Sequence, residues 1–312
     1  MIECPCCNKN NWKFFRKVKR ENIIQHFLIC KNCLLIKNNT ELSNTELNTY
    51  YQDSYNKKNY SAEHNLIFSR MLIPSKFRIN LIINKGIKFS SGEKLLEIGP
   101  GSGSMLYLFE KMNLNTFAVE PDIDAVKWLK NNFKAKIFHA FFSDWINDKE
   151  KYKKIKFDWI VITHVLEHLK NPKVFLNQIK EKLSENGKVI IEIPNANNPY
   201  SDGKEWGHLF DPGHFYYYTI DNLKRMLISS GFKIDLITDS NLKPYNNILC
   251  VVSKSKTEKL IYDNIRGGLY GILKMKLLWK KHEIIHKLKY IFIKKPGRFI
   301  KLFLKQLLKM ND

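Results

Sequence analysis

Leu95-Leu96-Glu97-Ile98-Gly99-Pro100-Gly101-Ser102-Gly103-Ser104 is the stretch that decides the fold. An apolar strand ends in an acid, and three glycines at alternate positions then turn the chain into a helix. Glycine lets the backbone come close to a ligand, and a helix N-terminus offers N–H groups with no partner inside the helix. A dinucleotide-binding turn applies the same physics as G-x-G-x-x-G. Here Ser104 takes the place of that third glycine, and Gly103 and Glu97 depart from the pattern. A carboxylate in the turn suits a cationic ligand, met through its amino group or through a water.

Outward from this stretch, apolar strands alternate with helical patterns. Lys94–Ile98, Asn115–Val119, Ala135–Phe138, Phe157–Ile162 and Gly187–Ile193 read as strands, and Pro172–Leu183 and Asp221–Ser230 as helices. Such alternation implies a parallel sheet covered on both faces. Lys233–Thr238 and Ile248–Ser253 lie close together in sequence and read as an antiparallel edge pair. The expected fold is α/β, a doubly wound, seven-stranded, mostly parallel sheet over residues 91–253.

The flanks differ in character. Residues 1–40 carry two CxxC pairs, Cys4/Cys7 and Cys30/Cys33, around a hairpin pattern at Ile23–Ile29. Each pair sets two thiolates on a tight turn, and two such turns close a tetrahedral site, so a structural zinc ribbon is expected. Asn8 fits the left-handed turn position after the first pair. Cys6 is a spare thiol, and Cys250 reads as a buried strand residue. Residues 41–90 read as a helical connector and lid, with a Tyr cluster (Tyr50, Tyr51, Tyr55) and a helix from Glu63 to Lys85 that Pro74 interrupts. Residues 254–312 form a basic amphipathic helical tail, in which Phe299–Lys309 places Lys at every fourth position. Such a helix fits either an anionic membrane surface or the body of the protein.

The 312 residues include 52 Lys and Arg against 30 Asp and Glu, a formal net charge of +22. With 44% apolar residues the chain can bury a core. Most of the positive charge is Lys, and the scarcity of Arg forks discounts nucleic acid as a partner. No apolar run reaches the roughly 18–20 residues that span a bilayer, and the first residues lack a signal-peptide core. Cytoplasmic residence is expected, with reduced thiols and peripheral contact at the inner membrane surface through the tail.

The E-x-G-x-G-x-G turn resembles motif I of the class I S-adenosylmethionine-dependent methyltransferases. Further segments match in order. Val119-Glu120-Pro121-Asp122 is similar to the family's ribose-binding strand end, and Phe142-Ser143-Asp144-Trp145 to the segment that meets adenine, with Phe142 and Trp145 flanking the ring. Thr163-His164-Val165-Leu166-Glu167-His168-Leu169 resembles the V-L-E-H segment beneath the methyl donor, and Glu192-Ile193-Pro194-Asn195 the end of the fifth strand. The resemblance implies S-adenosyl-L-methionine as cofactor, held by Glu97, Gly99, Gly101, Gly103, Glu120, Asp144 and His164. The ribbon ahead of such a domain resembles a subgroup that includes sugar C-methyltransferases and enzymes of glycan biosynthesis. Their catalytic residues do not carry over, because this chain has only a short basic segment in place of their C-terminal extension.

The implied acceptor is a small hydroxylated molecule: a sugar, a nucleotide-linked sugar or a glycan. Methyl transfer needs a base only if the acceptor must lose a proton. His164, His168, His208 and His214 are the candidates, with His214 and His164 leading. H-E-x-x-H is absent, so His164 and His168 are not read as metal ligands, and His168 is read as structural. Trp206–Thr219 is the expected acceptor loop, with His214, then aromatics, then Thr219 capping a helix. Glu192 could also reach the acceptor. The alternatives are an RNA methyltransferase and a non-catalytic binding module of the same fold. Against the first, Thr163–Leu166 lacks the aromatic-flanked proline of the N-methylating enzymes.

Overall fold

The computed structural model describes residues 3–20, 23–40, 64–147, 155–197, 211–240, 247–255, 271–281 and 284. The Tyr50/Tyr51/Tyr55 cluster, Trp206 and His208, and Phe299–Lys309 lie outside the described residues.

The main sheet has seven strands: β4 (Lys94–Ile98), β5 (Asn115–Glu120), β6 (Lys136–His139), β7 (Phe157–Thr163), β8 (Leu183–Pro194), β10 (Phe232–Asp239) and β11 (Asn247–Lys254). Their order is β10-β11-β8-β7-β4-β5-β6. The pairs among β6, β5, β4, β7 and β8 are parallel, while β11 runs antiparallel to both β8 and β10. The expected seven-stranded, mostly parallel sheet with its antiparallel edge is therefore what forms. β4 lies inside the sheet between β7 and β5, and all of its residues after Lys94 are buried. That burial explains an apolar run without the alternation of a one-faced strand.

The main sheet is flanked by α1 (His64–Asn84), α2 (Ser104–Lys111), α3 (Ile123–Asn132), α4 (Phe142–Asn147), α5 (Pro172–Lys182) and α6 (Ile220–Ser229). Asp122 caps α3, and Thr219 with Asn222 forms a reciprocal capping box at α6, so both ends follow from side chains that satisfy unpaired first-turn N–H groups. Pro74 does not interrupt α1, contrary to expectation. An interior proline costs about 3 kcal/mol, and the contacts around it offset that cost. Ser75 Oγ lies 2.8 Å from Ser104 Oγ, Arg78 pairs with Glu192, and Ile79 and Ile82 are buried beside Phe109 and Trp159.

The N-terminal cysteine module is sewn into this body. β1 (Trp12–Arg20), β2 (Ile23–Cys30) and β3 (Ile36–Asn38) form an antiparallel sheet. Its fourth strand is β9 (Tyr216–Tyr217), which comes from the main domain, in the segment read as an acceptor loop, and pairs as Ile36 with Tyr217 and Lys37 with Tyr216. Period-two alternation then sends Tyr216 and Tyr218 to the main core beside Cys4 and Cys6, and Tyr217 to a second core with Phe15, Phe27 and Ile36. Helical residues 271–281 close that second core with Ile272, Met275 and Trp279, and Trp279 Nε1 donates to Ala196 O at 2.8 Å. The part of the basic tail that is described thus packs on the body. No helix among the described residues is long and apolar enough to cross a membrane.

Candidate active site

The glycine turn sits at the carboxyl end of β4, where ligands collect in open α/β sheets. Gly99, Gly101 and Gly103 all have positive φ, at 67°, 52° and 77°. Their roles differ. A Cβ on Gly103 would lie 2.7 Å from Leu129 Cδ2 and 2.8 Å from the Phe133 ring, so this glycine lets α2 pack on α3. A Cβ on Gly99 would meet Val165 Cγ2 at 3.1 Å, which brings the turn against the segment after β7.

Glu97 lies beneath the turn and is 1% exposed, and its Oε2 has no hydrogen-bond partner. Burial pushes its carboxyl up to about 8, with the Arg78 charge opposing, the Glu120 charge adding and the Leu106 backbone N–H opposing. A buried carboxylate oxygen without a partner is costly, and a cationic or hydrogen-bonding ligand would satisfy it. Across the turn, Glu120 at the end of β5 accepts from Gly101 N at 3.2 Å and Asp122 N at 3.0 Å. A carboxylate offers about four lone-pair sites, so these two bonds fix its orientation and leave acceptor capacity for two hydroxyls. Asp144 is exposed in the first turn of α4, with Ser143 Oγ donating to it at 3.3 Å. Phe142 and Trp145, expected to flank an adenine, instead turn inward and pack with Phe138, Phe157 and Phe175. Phe141, which the sequence pattern did not single out, is 65% exposed beside them.

The segment after β7 carries the ionisable groups. His164 has φ +56°, a strained conformation for a non-glycine residue. Its Nδ1 is 3.2 Å from Glu167 Oε1, and its Nε2 is 3.3 Å from Glu192 Oε1. Burial works against its charge, but the hydrogen bonds and charges of these two acids raise its pKa to about 9. Glu192 does not face an acceptor. It is fully buried on β8, and Arg78 of α1 holds it bidentately, Nε on Oε2 and Nη2 on Oε1 at 2.7 Å, with Asn247 Nδ2 also donating to Oε1. Burial would raise its carboxyl, yet Arg78 and His164 hold it down at about 2. Arg78 and Asn247 were missed in the sequence, because neither lies in a motif and their common partner is far away along the chain.

Glu167, His168 and His214 converge beside the segment after β8. A 3-10 turn at Leu166–His168 presents the first two, and Phe215 N donates to Glu167 O at 2.8 Å, which ties the segment before β9 to that turn. The His168 and His214 rings meet edge to face at 4.5 Å. Burial pushes the His214 pKa down to about 4, and the neighbouring His168 charge adds to this. Burial alone would raise Glu167, but the hydrogen bond and charge of His164 and the charges of His168 and His214 bring it below the usual carboxylate range. Tyr216, Tyr217 and Tyr218 are all buried, so they pack the loop rather than face an acceptor ring.

Near Tyr216 and Tyr218 the four cysteines converge, all free thiols. Cys4 Sγ is 3.4 Å from Cys33 Sγ and Cys7 Sγ 3.5 Å from Cys30 Sγ, and all four sulfurs lie within 4.8 Å of one another. Zn–S bonds of about 2.3 Å at tetrahedral angles separate sulfurs by about 3.8 Å, so the thiols fit a zinc ion with small adjustment. Asn8 takes the left-handed position expected of it, with φ +56°, and Leu34 does the same in the second turn.

A family profile described as a methyltransferase domain matches residues 77–237 of this chain. Among curated proteins, the ribosomal RNA small subunit methyltransferase A of Mycoplasma mobile is 31% identical over 113 residues, 36% of this chain. The chain spans only 41% of that relative's length. Among solved structures, the plantazolicin methyltransferase BpumL, in complex with a monoazolic desmethylPZN analog and SAH, is similar over 67% of this chain and 94% of its own, with 15% identity and a TM-score of 0.50. An S-adenosylmethionine-dependent methyltransferase from Archaeoglobus fulgidus is similar over 65% of this chain and all of its own, at 18% identity and a TM-score of 0.46.

Proposed function

The chain belongs to the methyltransferase-domain family, and from that premise we propose that it transfers the methyl group of S-adenosylmethionine to a small hydroxylated acceptor, a sugar, nucleotide-sugar or glycan. The single observation that carries the reading is the turn at Gly99–Gly103, with Glu97 buried beneath it and Glu120 beside it. S-adenosylmethionine supplies an electrophilic methyl group on a sulfonium. Glu97 and its unpartnered oxygen would meet the amino-acid end, Glu120 the ribose hydroxyls, and Asp144 the adenine edge. His164 would line the donor side, held by Glu167 and Glu192. The main catalytic contribution is to align the acceptor with the methyl group, which can supply several kcal/mol. His214 and the loop around it would provide that alignment. Cys4, Cys7, Cys30 and Cys33 would hold a structural zinc ion that braces β3, and through it β9 and the acceptor loop.

Isothermal calorimetry tests the donor reading. S-adenosylmethionine is expected to bind and NAD to give no heat, and Gly101→Val should abolish donor binding. A wild-type chain that binds NAD and not S-adenosylmethionine would overturn it. A ribosomal RNA acceptor, as in the name of the Mycoplasma mobile relative, is the second reading, and the +22 charge is compatible with it. Binding of RNA fragments that weakens steeply with salt, together with methyl transfer to them, would decide for RNA. Cytoplasmic residence and contact of residues 282–312 with anionic lipid belong to the same proposal. Liposome flotation that is lost on truncation after Lys281 would support that contact.

A further inference from the structure

The geometry points to a second metal site, in which Glu167, His168 and His214 bind a divalent transition ion of the zinc class with coordination positions left open to the acceptor. This deepens the methyl-transfer reading and rests on it for the nature of the acceptor, but not for the ion. The three residues come from two separate segments, and one donor atom from each lies within 4.8 Å of the others. The backbone bond from Phe215 N to Glu167 O makes that meeting a fixed feature of the fold.

Glu167 supplies the second, independent observation. It is 1% exposed, and while Oε1 pairs with His164 Nδ1, Oε2 has no hydrogen-bond partner. Buried acceptors without partners are rare and call for a ligand or ion. His168 Nδ1 lies 3.2 Å from Gly213 O. A carbonyl can only accept, so Nδ1 carries the proton and the neutral ring keeps its lone pair on Nε2. A backbone carbonyl fixing one ring nitrogen in this way is the usual support of a metal-bound imidazole.

Two imidazoles and one carboxylate select zinc, iron, cobalt or manganese over magnesium and calcium, which prefer oxygen donors. Three protein donors also leave positions open, unlike the four-thiol cluster. Val165, two residues before Glu167, touches the Gly99 turn, so the ion would sit beside the donor site. A hydroxyl oxygen of the acceptor bound there would be held in place and made more acidic.

The test uses the full chain, loaded with zinc, dialysed and assayed for metal by mass spectrometry, with S-adenosylmethionine binding measured on the same wild-type preparation. Two equivalents of zinc are expected. Cobalt added to protein that holds one equivalent should give d–d absorption without thiolate charge transfer, and His168→Asn and Glu167→Gln should each weaken this cobalt binding about 100-fold or more. A wild-type chain that binds S-adenosylmethionine but holds a single, thiolate-bound equivalent overturns the metal site alone. A second equivalent that survives both substitutions also overturns it. Two equivalents without donor binding would support the metal site and overturn the methyl-transfer reading.

Discussion

At the scale of single residues, Glu97 sets stability against function. Its pKa of about 8 stands above the ordinary 4.5 because burial penalises the charge. The folded state therefore holds a proton that the unfolded chain gives up as pH rises above about 4.5. Stability attached to this group is full below that pH and is lost progressively until about pH 8. Glu97→Gln removes the penalty. The ligand-free variant is expected to be more stable than the parent at pH 8.5 by on the order of a few kcal/mol and nearly equal at pH 4.5, while losing affinity for S-adenosylmethionine. Urea denaturation at the two pH values, with calorimetry alongside, checks both halves, and an equal difference at both would reject the account. The place of Glu97 near the end of β4, before the glycine turn, was legible in the sequence from the apolar run and the alternate glycines that follow it. Gly103 has in addition a packing role that the sequence did not show. That role depends on Leu129 of α3 and on Phe133 just past its end, which no local pattern announces.

At the scale of elements, α1 acts as a clamp on the main sheet. Its Arg78 spans 114 residues of sequence to meet Glu192 on β8, and both side chains are almost fully buried. Removing one member of a buried pair leaves an uncompensated charge, which costs about 3–5 kcal/mol, whereas replacing both with apolar groups can be nearly neutral. Arg78→Leu should therefore be strongly destabilising in urea denaturation, and Arg78→Leu/Glu192→Leu should recover most of the loss. A double variant no better than the single would mean that Asn247 and His164 need Glu192 as much as Arg78 does. The strands β4 to β8 were legible from apolar runs and their spacing with helices. The passage of α1 through Pro74 was not, because the contacts that offset the proline, Ser75 with Ser104 and Arg78 with Glu192, form only once the sheet is in place.

At the scale of the whole molecule, the cysteine module, the β9 segment proposed to meet the acceptor and the described helical part of the basic tail share one core. β9 is only two residues long and belongs to the N-terminal sheet by pairing and to the main domain by connection. Reading the chain as successive blocks could not reveal this, since a two-residue strand has no periodicity and its partner β3 lies about 180 residues earlier. The lysines after residue 254 left a membrane surface and the body of the protein equally open as partners, and Ile272, Met275 and Trp279, recurring at helical spacing, fill the second core. Trp279 is fully buried against Phe15, with ring centroids 5.0 Å apart, and its N–H satisfies Ala196 O, next to the bridge between Asn195 and Tyr218. Trp279→Ala should cost about 3–5 kcal/mol in this unit. The loss should pass along β9 to His214 and leave the Gly99 turn intact. Hydrogen exchange is expected to speed up in β1–β3 and β9 but not in β4, β5 and β7, and methyl transfer to fall while S-adenosylmethionine still binds. Uniform deprotection of both sheets, or donor affinity that falls in step with turnover, would mean instead that the two sheets unfold together and that the ribbon has no separate hold on the acceptor loop.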